Sequence, residues 1–478
     1  MTAPRAIVRD VFLRLLGLVF LLAFLSALSQ IRLLAGEKGL LPAGEFLDAI
    51  RASDASALWF PTIHWLFSSD AALAGVAIAG AVASVALVLL LAPRAAIVAC
   101  WALYLSTVTI GQDFFHFQWD TLLLESAFCA FFVAPGGLRP RPATTPPPHP
   151  LAVFLVLWLV FRLHLESGAS KLLTGDPTWR DLTAMVAYYE TAPLPTWIGW
   201  WAHQMPVLAQ KITALLTLVI EIGGAAFVFF PWPRVRLAAF ALMAALQMGV
   251  ALTANYGFFN YLSIILCLFV LDDSHFARLF PRRPPAPPAP RRPRRTFALA
   301  VVAFLVVPLS TIPFVRFFGA SDALLRATFP VARALDAYRT INAYHLFASM
   351  TLVRFEVVIE GSNDGTTWRE YEWRYKPGDV SRAPTFVAPH QPRVDFQAWF
   401  LMIGRRRPSE PWFARLLERL AKEPETVIDL FVANPFPEGP PKEIRVRTYR
   451  YEFTDRKTRR ETGAYWRRTP TRFEPPRR

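Results

Sequence analysis

The chain has 478 residues, is 54% hydrophobic and 14% aromatic, and has a mean hydropathy of +0.32. That balance excludes an ordinary soluble enzyme and predicts a multi-pass membrane protein. Net charge is +15, and arginines beside apolar runs are explained by membrane insertion and anionic lipid, so no nucleic-acid partner is expected.

Nine spans are predicted, at 11–29, 71–92, 95–110, 119–134, 150–166, 207–230, 237–253, 257–271 and 297–315. Several are short, so the expected bundle has about 8–9 spans within residues 1–315. Val11–Leu28 reads as a first span rather than a cleaved leader. Leu58–Phe67 is too short to cross and reads as interfacial. Two Pro-rich linkers, 139–150 and 281–296, favour extended polyproline II and act as stiff spacers on the cytoplasmic side.

The charges between spans set an orientation. With the N-terminus inside, the inner loops hold Arg5, Arg9 and Arg14, then Arg94, then Arg139 and Arg141, then Arg234 and Arg236, then the run Arg282–Arg295. This obeys the positive-inside rule and predicts that residues 316–478 face the periplasm or a lumen. The Ala-, Arg- and Pro-rich composition suggests a bacterial source and an inner-membrane location. Cys100, Cys129 and Cys267 all lie in apolar segments, and no CxxC occurs. The C-terminal domain is therefore expected to fold without disulfides, and thiol exchange is excluded as its chemistry.

After the last span, Ser321–Ala337 reads as an amphipathic helix. Asn342–Asp379 reads as a β-hairpin, turning at Ser362-Asn363-Asp364-Gly365. A loop follows at Ala388–Arg393, then a helix at Pro411–Lys422, a strand at Val427–Val432 and a strand at Glu443–Thr454. The last alternates Ile444, Val446, Thr448 and Arg450 with Arg445, Arg447, Tyr449 and Tyr451. An extramembrane, mainly antiparallel β-sandwich with inserted helices is expected over 316–478.

Polar residues inside apolar segments are the candidate sites. His116 and Asp120 stand four apart in DFFHFQWD, the spacing of one helix face; a metal or acid–base pair and an interfacial helix start are both open. The interfacial reading fits better, because a metal needs more ligands. Glu125 lies deeper, where a carboxylate is costly without a partner. Arg162, His164, Glu166 and Lys171 crowd one span end, as a catalytic group around a desolvated lysine or as ion pairs that close the bundle. Glu221 is a further intramembrane acid, beside Gly223 and Gly224, which permit close helix contact.

In the C-terminal domain, His390 and Asp395 flank Arg393; between a catalytic pair and a loop stapled to the sandwich by Arg393 and Asp395, the staple is expected. Ser362–Gly365 lacks the repeated acids of a calcium loop. No G-x-S-x-G and no phosphate-binding Gly loop occurs. No cofactor or metal is expected.

Several blocks resemble the lipase maturation factor family. They are NAYHLFASMT, RFEVVIEGSNDGTTWREYEWRYKPGD, APHQPRVDFQAWF, NPFPEGPPKEIRVRTYRYEFT and GAYWRR, with DFFHFQWDTLLLE and FRLHLESGASKL in the membrane half. The resemblance implies a polytopic protein, of the endoplasmic reticulum in animals, that helps secreted lipases fold and assemble into active homodimers. It implies a chaperone-like role on a secreted client, with Trp368, Trp373 and Trp399 as candidate client contacts beside core packing. The pattern Gly168, Lys171, Leu172 and Trp179 is also similar to vitamin K-dependent carboxylase-like membrane proteins. That similarity implies an enzyme with Lys171 as base, aided by Glu166 and His164, acting on a lipid or a client side chain. A transporter using Glu125, Glu166 and Glu221 ranks behind both, since no inverted repeat is evident.

Overall fold

The computed structural model of the protein describes residues 4–141, 145–276, 279, 293–319, 321–403 and 410–471. Most of the linker expected at 281–296 lies outside them, as do residues 142–144 of the other linker.

Among the described residues, seven helices are long and apolar enough to cross a membrane. They are Ala6–Leu28, Asp70–Val88, Pro93–Ile110, Pro150–Leu173, Val207–Gly224, Pro233–Thr253 and Pro293–Phe317. Two of the nine expected spans fall short of that length: Gln118–Val133 has 16 residues, and the apolar stretch Phe259–Val270 ends in a 3₁₀ turn. Both pack inside the bundle, where Leu122, Leu123, Leu124, Leu262 and Leu266 are fully buried.

Local signals set the helix starts. Pro93, Pro150 and Pro233 each occupy the first turn, where a missing N–H has no intrahelical partner to lose. The Ser69 hydroxyl accepts the N–H of Ala72 and caps Asp70–Val88. A Cβ at Gly17 would stand 2.8 Å from the backbone nitrogen of Val88. Glycine there lets the first helix and Asp70–Val88 meet backbone to backbone.

One end of the bundle is closed by charge. Arg5 Nε donates to the carbonyls of Phe269 (3.0 Å) and Leu271 (2.8 Å). The Asp273 carboxylate accepts the N–H groups of Ala6 and Ile7, at 2.8 Å each, and caps the first helix. Arg236 pairs with Asp272 beside it.

The opposite end carries the C-terminal domain. Its four strands, β1 (Arg354–Ser362), β2 (Arg369–Tyr371), β3 (Glu443–Phe453) and β4 (Trp466–Pro470), form one antiparallel sheet in the order β2-β1-β3-β4. Ile359 pairs with Tyr371, Arg354 with Tyr451, and Phe453 with Trp466. The β1–β2 hairpin turns where expected. The Asp364 carboxylate accepts the N–H groups of Thr366 (2.8 Å) and Thr367 (2.6 Å), and Gly365 takes a φ of +71°. Those hydrogen bonds hold the exposed Asp364 carboxyl well below its usual range.

The second sheet of the expected sandwich is not among the described residues. Val427–Val432 is not a strand: Ile428–Leu430 forms a 3₁₀ turn, and only Phe431 bridges to Trp373. Other elements cover the two sheet faces. Val358, Tyr449, Tyr451, Phe453 and Trp466 pack against Trp200, which belongs to the bundle's connecting helix Trp197–His203. The other face, through Ile359 and Tyr371, joins a core shared with Trp373, Phe431, Phe396 and Trp412. That core runs without a break into the bundle: Trp412 meets Phe114 edge-on at 5.7 Å, and Phe396 meets Trp119 at 4.9 Å.

Candidate functional site

The intramembrane charges gather where the bundle meets the C-terminal domain. Arg162 and Glu166 sit four apart on Pro150–Leu173, so both face the same neighbour. Arg162 pairs with Glu125 and lies 3.7 Å from Glu166. All three are buried.

The segment Asn342–Met350 then threads over them and takes up their hydrogen-bonding capacity. Arg162 Nη1 donates to the Asn342 carbonyl at 2.8 Å. Glu125 Oε2 accepts the Asn342 N–H (2.9 Å), the Asn342 side-chain amide (2.9 Å) and the Tyr344 hydroxyl (2.7 Å). Glu166 Oε2 accepts the Tyr344 N–H at 2.9 Å. Further along, Trp179 Nε1 donates to Phe347 O (2.9 Å), Thr174 to Ala348 O (2.6 Å), and Asp176 accepts Met350 N–H (2.7 Å). Phe347, at φ +55°, turns the strap, and its ring packs edge-on against Tyr188 and Tyr256.

Lys171 is held in the same way. Its Nζ donates to Glu221 Oε2 (2.7 Å), Ser167 O (3.1 Å) and Leu346 O (2.9 Å). An ammonium has three protons, so none is left over. Glu221 reaches it from a π-helical turn, Val219–Gly224, which ends its span. Glycine at 168 allows the approach: a Cβ there would lie 2.6 Å from Ile222 Cγ1 and 2.9 Å from Glu221 Cβ.

His164 stands apart from this group. Its Nδ1 contacts Val160 O at 2.9 Å, and Nε2 is buried without a hydrogen-bond partner. A small hollow of about 20 Å³, room for one water, lies between Pro195, Tyr375, Lys376, Pro384 and Trp466. Lys171, Glu166 and His164 do not line it.

A second strap, Thr385–Arg393, clips the domain on from another side. Asn255 accepts the N–H groups of Val387 (2.8 Å) and Ala388 (3.0 Å) and donates to Thr385 O (2.9 Å). In the first helix, Ser26 Oγ accepts Gln391 N–H (3.1 Å); below it, Gln30 accepts Arg393 N–H (3.0 Å).

The Arg393 side chain enters the bundle. Its Nη1 and Nη2 grip Asp120 at 2.6 and 2.8 Å, and Tyr104 donates to the same carboxylate at 2.6 Å. Arg393 and Asp395 both fasten this segment, to different partners: Arg393 holds Asp120 of the bundle, and Asp395 accepts the Tyr375 N–H of the C-terminal domain at 3.0 Å. His390 is not paired with Asp395, but contacts Ser26 at 2.9 Å. His116 and Asp120 do not share a helix face. The helix begins at Gln118, leaving His116 exposed before it and Asp120 buried in its first turn. No group of three metal-ligating side chains occurs among the described residues.

The candidate client tryptophans divide. Trp373 is 2% exposed and donates to Val357 O, so it is a core residue and not a surface contact. Trp399 is half-buried and donates to Thr191 O at 3.0 Å. Trp368 is half-buried under the Arg445 guanidinium, 3.8 Å from its ring.

Asn342, Tyr344, Asp176, Ser26 and Gln30 were not singled out from sequence. Ser26 and Gln30 did carry a signal, as polar residues four apart at the end of an apolar run. Asn342 and Tyr344 carry none, because they meet the Glu125 and Glu166 carboxylates and the Arg162 guanidinium, far away in the chain, in part through their own backbone groups.

Each of the two parts matches a family of known proteins. Residues 7–278 match the family described as "Lipase maturation factor transmembrane domain", and residues 340–475 match "Lipase maturation factor C-terminal domain". The chain is 34% identical to lipase maturation factor 2 of Gallus gallus, over 96% of this chain and 80% of the relative. It is 32% identical to human lipase maturation factor 2, over 96% and 81%. It is 31% identical to lipase maturation factor 1 of Bos taurus, over 93% and 84%. These vertebrate relatives lend no support to a bacterial source. No solved structure matches the chain. The chain belongs to the lipase maturation factor family.

Proposed function

We propose that this protein is a chaperone-like maturation factor whose membrane bundle holds the C-terminal domain ready to receive a secreted client. The client class is a lipase, by the names its relatives carry. The N-terminus is cytoplasmic and the C-terminal domain faces the lumen or periplasm, by the charge of the loops. One observation carries the reading. Glu125, Glu166 and Lys171 bind the backbone and side chains of residues 342–346, so the charged residues of the bundle serve as an anchor. A catalytic base needs a lone pair directed at substrate, and Lys171 Nζ faces three acceptors of its own chain. Of the three candidate tryptophans, Trp368 and Trp399 are half-exposed and available to a client.

The test is co-expression of the full chain with a secreted homodimeric lipase, reading secreted lipase activity. The double variant Lys171→Ala/Glu221→Ala removes both charges and leaves neither one buried without its counter-charge. It should retain most client maturation if the pair is an anchor. Loss of maturation in a variant that still folds and still crosslinks to the lipase would replace this reading with the carboxylase-like enzyme.

A further inference from the structure

A second feature lies on the same side of the bundle, where Trp197 meets Phe386 of the second strap edge-on at 5.8 Å. The connecting helix Trp197–His203 leads through Pro206 directly into the span Val207–Gly224. Its Trp197 and Trp201 are 45% and 43% exposed, and the first span residues, Val207 and Leu208, are 55% and 70% exposed. Exposed apolar side chains at the mouth of a span fix the level of the membrane surface. Tryptophans just outside that level are the usual interfacial anchors.

A basic helix of the C-terminal domain is pinned onto these rings. Arg456–Thr462 reads RKTRRET, four cationic side chains against one acid. The Arg456 guanidinium lies 5.2 Å from the Trp201 ring, and that of Arg459 lies 5.0 Å from Trp200 and 4.2 Å from Tyr465. Arg459 is half-buried in this contact, whereas Arg456, Lys457 and Arg460 are exposed. None of those three forms an ion pair among the described residues. Other arginines of the domain, Arg445, Arg450, Arg467 and Arg468, all have glutamate partners.

We propose that Arg456, Lys457 and Arg460 form a binding surface for anionic phospholipid headgroups in the leaflet facing the C-terminal domain. Two observations choose lipid over a soluble acidic partner. The patch is continuous with a membrane span through Trp201, Val207 and Leu208. Its cations are also exposed beside the interfacial Trp201, where each contributes about 1 kcal/mol toward an anionic surface, roughly fivefold in preference. The inference rests on this surface alone and not on the client reading. Its role is to tie the domain to the lipid as well as to the bundle.

The experiment uses the full chain in phosphatidylcholine vesicles. Tryptophan quenching by dibrominated phosphatidylglycerol is compared with quenching by dibrominated phosphatidylcholine at equal mole fraction. The native chain should be quenched more by the anionic probe. The excess should vanish in about 0.5 M salt, where screening shortens the Debye length to a few ångströms. It should fall roughly fivefold in lipid preference for each charge removed along the series to Arg456→Gln/Lys457→Gln/Arg460→Gln. Equal quenching of the native chain by both probes overturns the proposal, as does an excess that survives salt. The salt arm needs no substitution, so it decides the matter even where a variant fails to fold.

Discussion

Arg393 and Asp120 are 273 residues apart in the chain, yet their side chains meet in two hydrogen bonds of 2.6 and 2.8 Å with both groups out of water. The guanidinium also lies 3.8 Å from the Phe115 ring. A bidentate pair of this kind orients as well as attracts. It sets the C-terminal domain at one angle on the bundle.

Asp120→Ala should therefore be more damaging than removing both partners. The single change leaves Arg393 buried and uncompensated and should cost about 3–5 kcal/mol. The double change Asp120→Ala/Arg393→Met should recover part of that. Thermal unfolding in detergent, read as a double-mutant cycle, measures the coupling; additive effects would disprove it.

Tyr344→Phe removes one of three donors to Glu125 Oε2 and keeps the two from Asn342. The expected loss is about 1.5–3 kcal/mol, for a hydrogen bond to a charged acceptor. Hydrogen exchange should show faster exchange at the Asn342 and Tyr344 amides, with the first helix unchanged. Unaltered protection there would mean the strap is held by other contacts.

Gly168→Val places side-chain atoms where Ile222 and Glu221 already stand. The π-helical turn must then move, at a cost of about 1–3 kcal/mol for overpacking, and the Lys171–Glu221 pair should loosen. A melting temperature equal to the native protein's would show that the two helices can part freely.

The domain should also lose stability as pH rises through about 6. Burial raises the Asp395 carboxyl from 3.8 to about 6, against the opposing pull of the Tyr375 N–H and Lys376. The folded state thus holds a proton that the unfolded state releases. This contribution is complete below about pH 4 and is lost as pH rises through the folded value. Two pH units correspond to at most about 3 kcal/mol. Lys376 runs the other way: burial lowers it against the attraction of Glu356, and its contribution grows with pH. Asp395→Asn keeps the acceptor for Tyr375 and should flatten the stability curve between pH 4 and 7. An unchanged slope in denaturation measured across that range would reject the assignment.

Much of the architecture was legible because it is local. The apolar runs, Pro93, Pro150 and Pro233 at helix starts, the Asn363-Asp364-Gly365 turn and the alternation of Glu443–Phe453 are each set within a few residues. The expectation failed where the pattern was ambiguous. Val427–Val432 is a short apolar run that a strand and a turn fit equally. Trp373 could not be told from a surface tryptophan, since burial depends on Phe431 and Val357 from other elements.

In the candidate site, Asp120, Glu125, Arg162, Glu166, Lys171 and Glu221 are costly in an apolar segment and must find partners, which follows from residue type and position alone. Which partners they find depends on how distant segments fold together. Arg162 with Glu166, four apart on one helix, could be foreseen. Asp120 with Arg393, Lys171 with Leu346, and Glu125 with Asn342 and Tyr344 could not. The physical reason is that periodicity carries information over one or two helical turns. These contacts form only when a segment some two hundred residues downstream folds back over the mouth of the bundle.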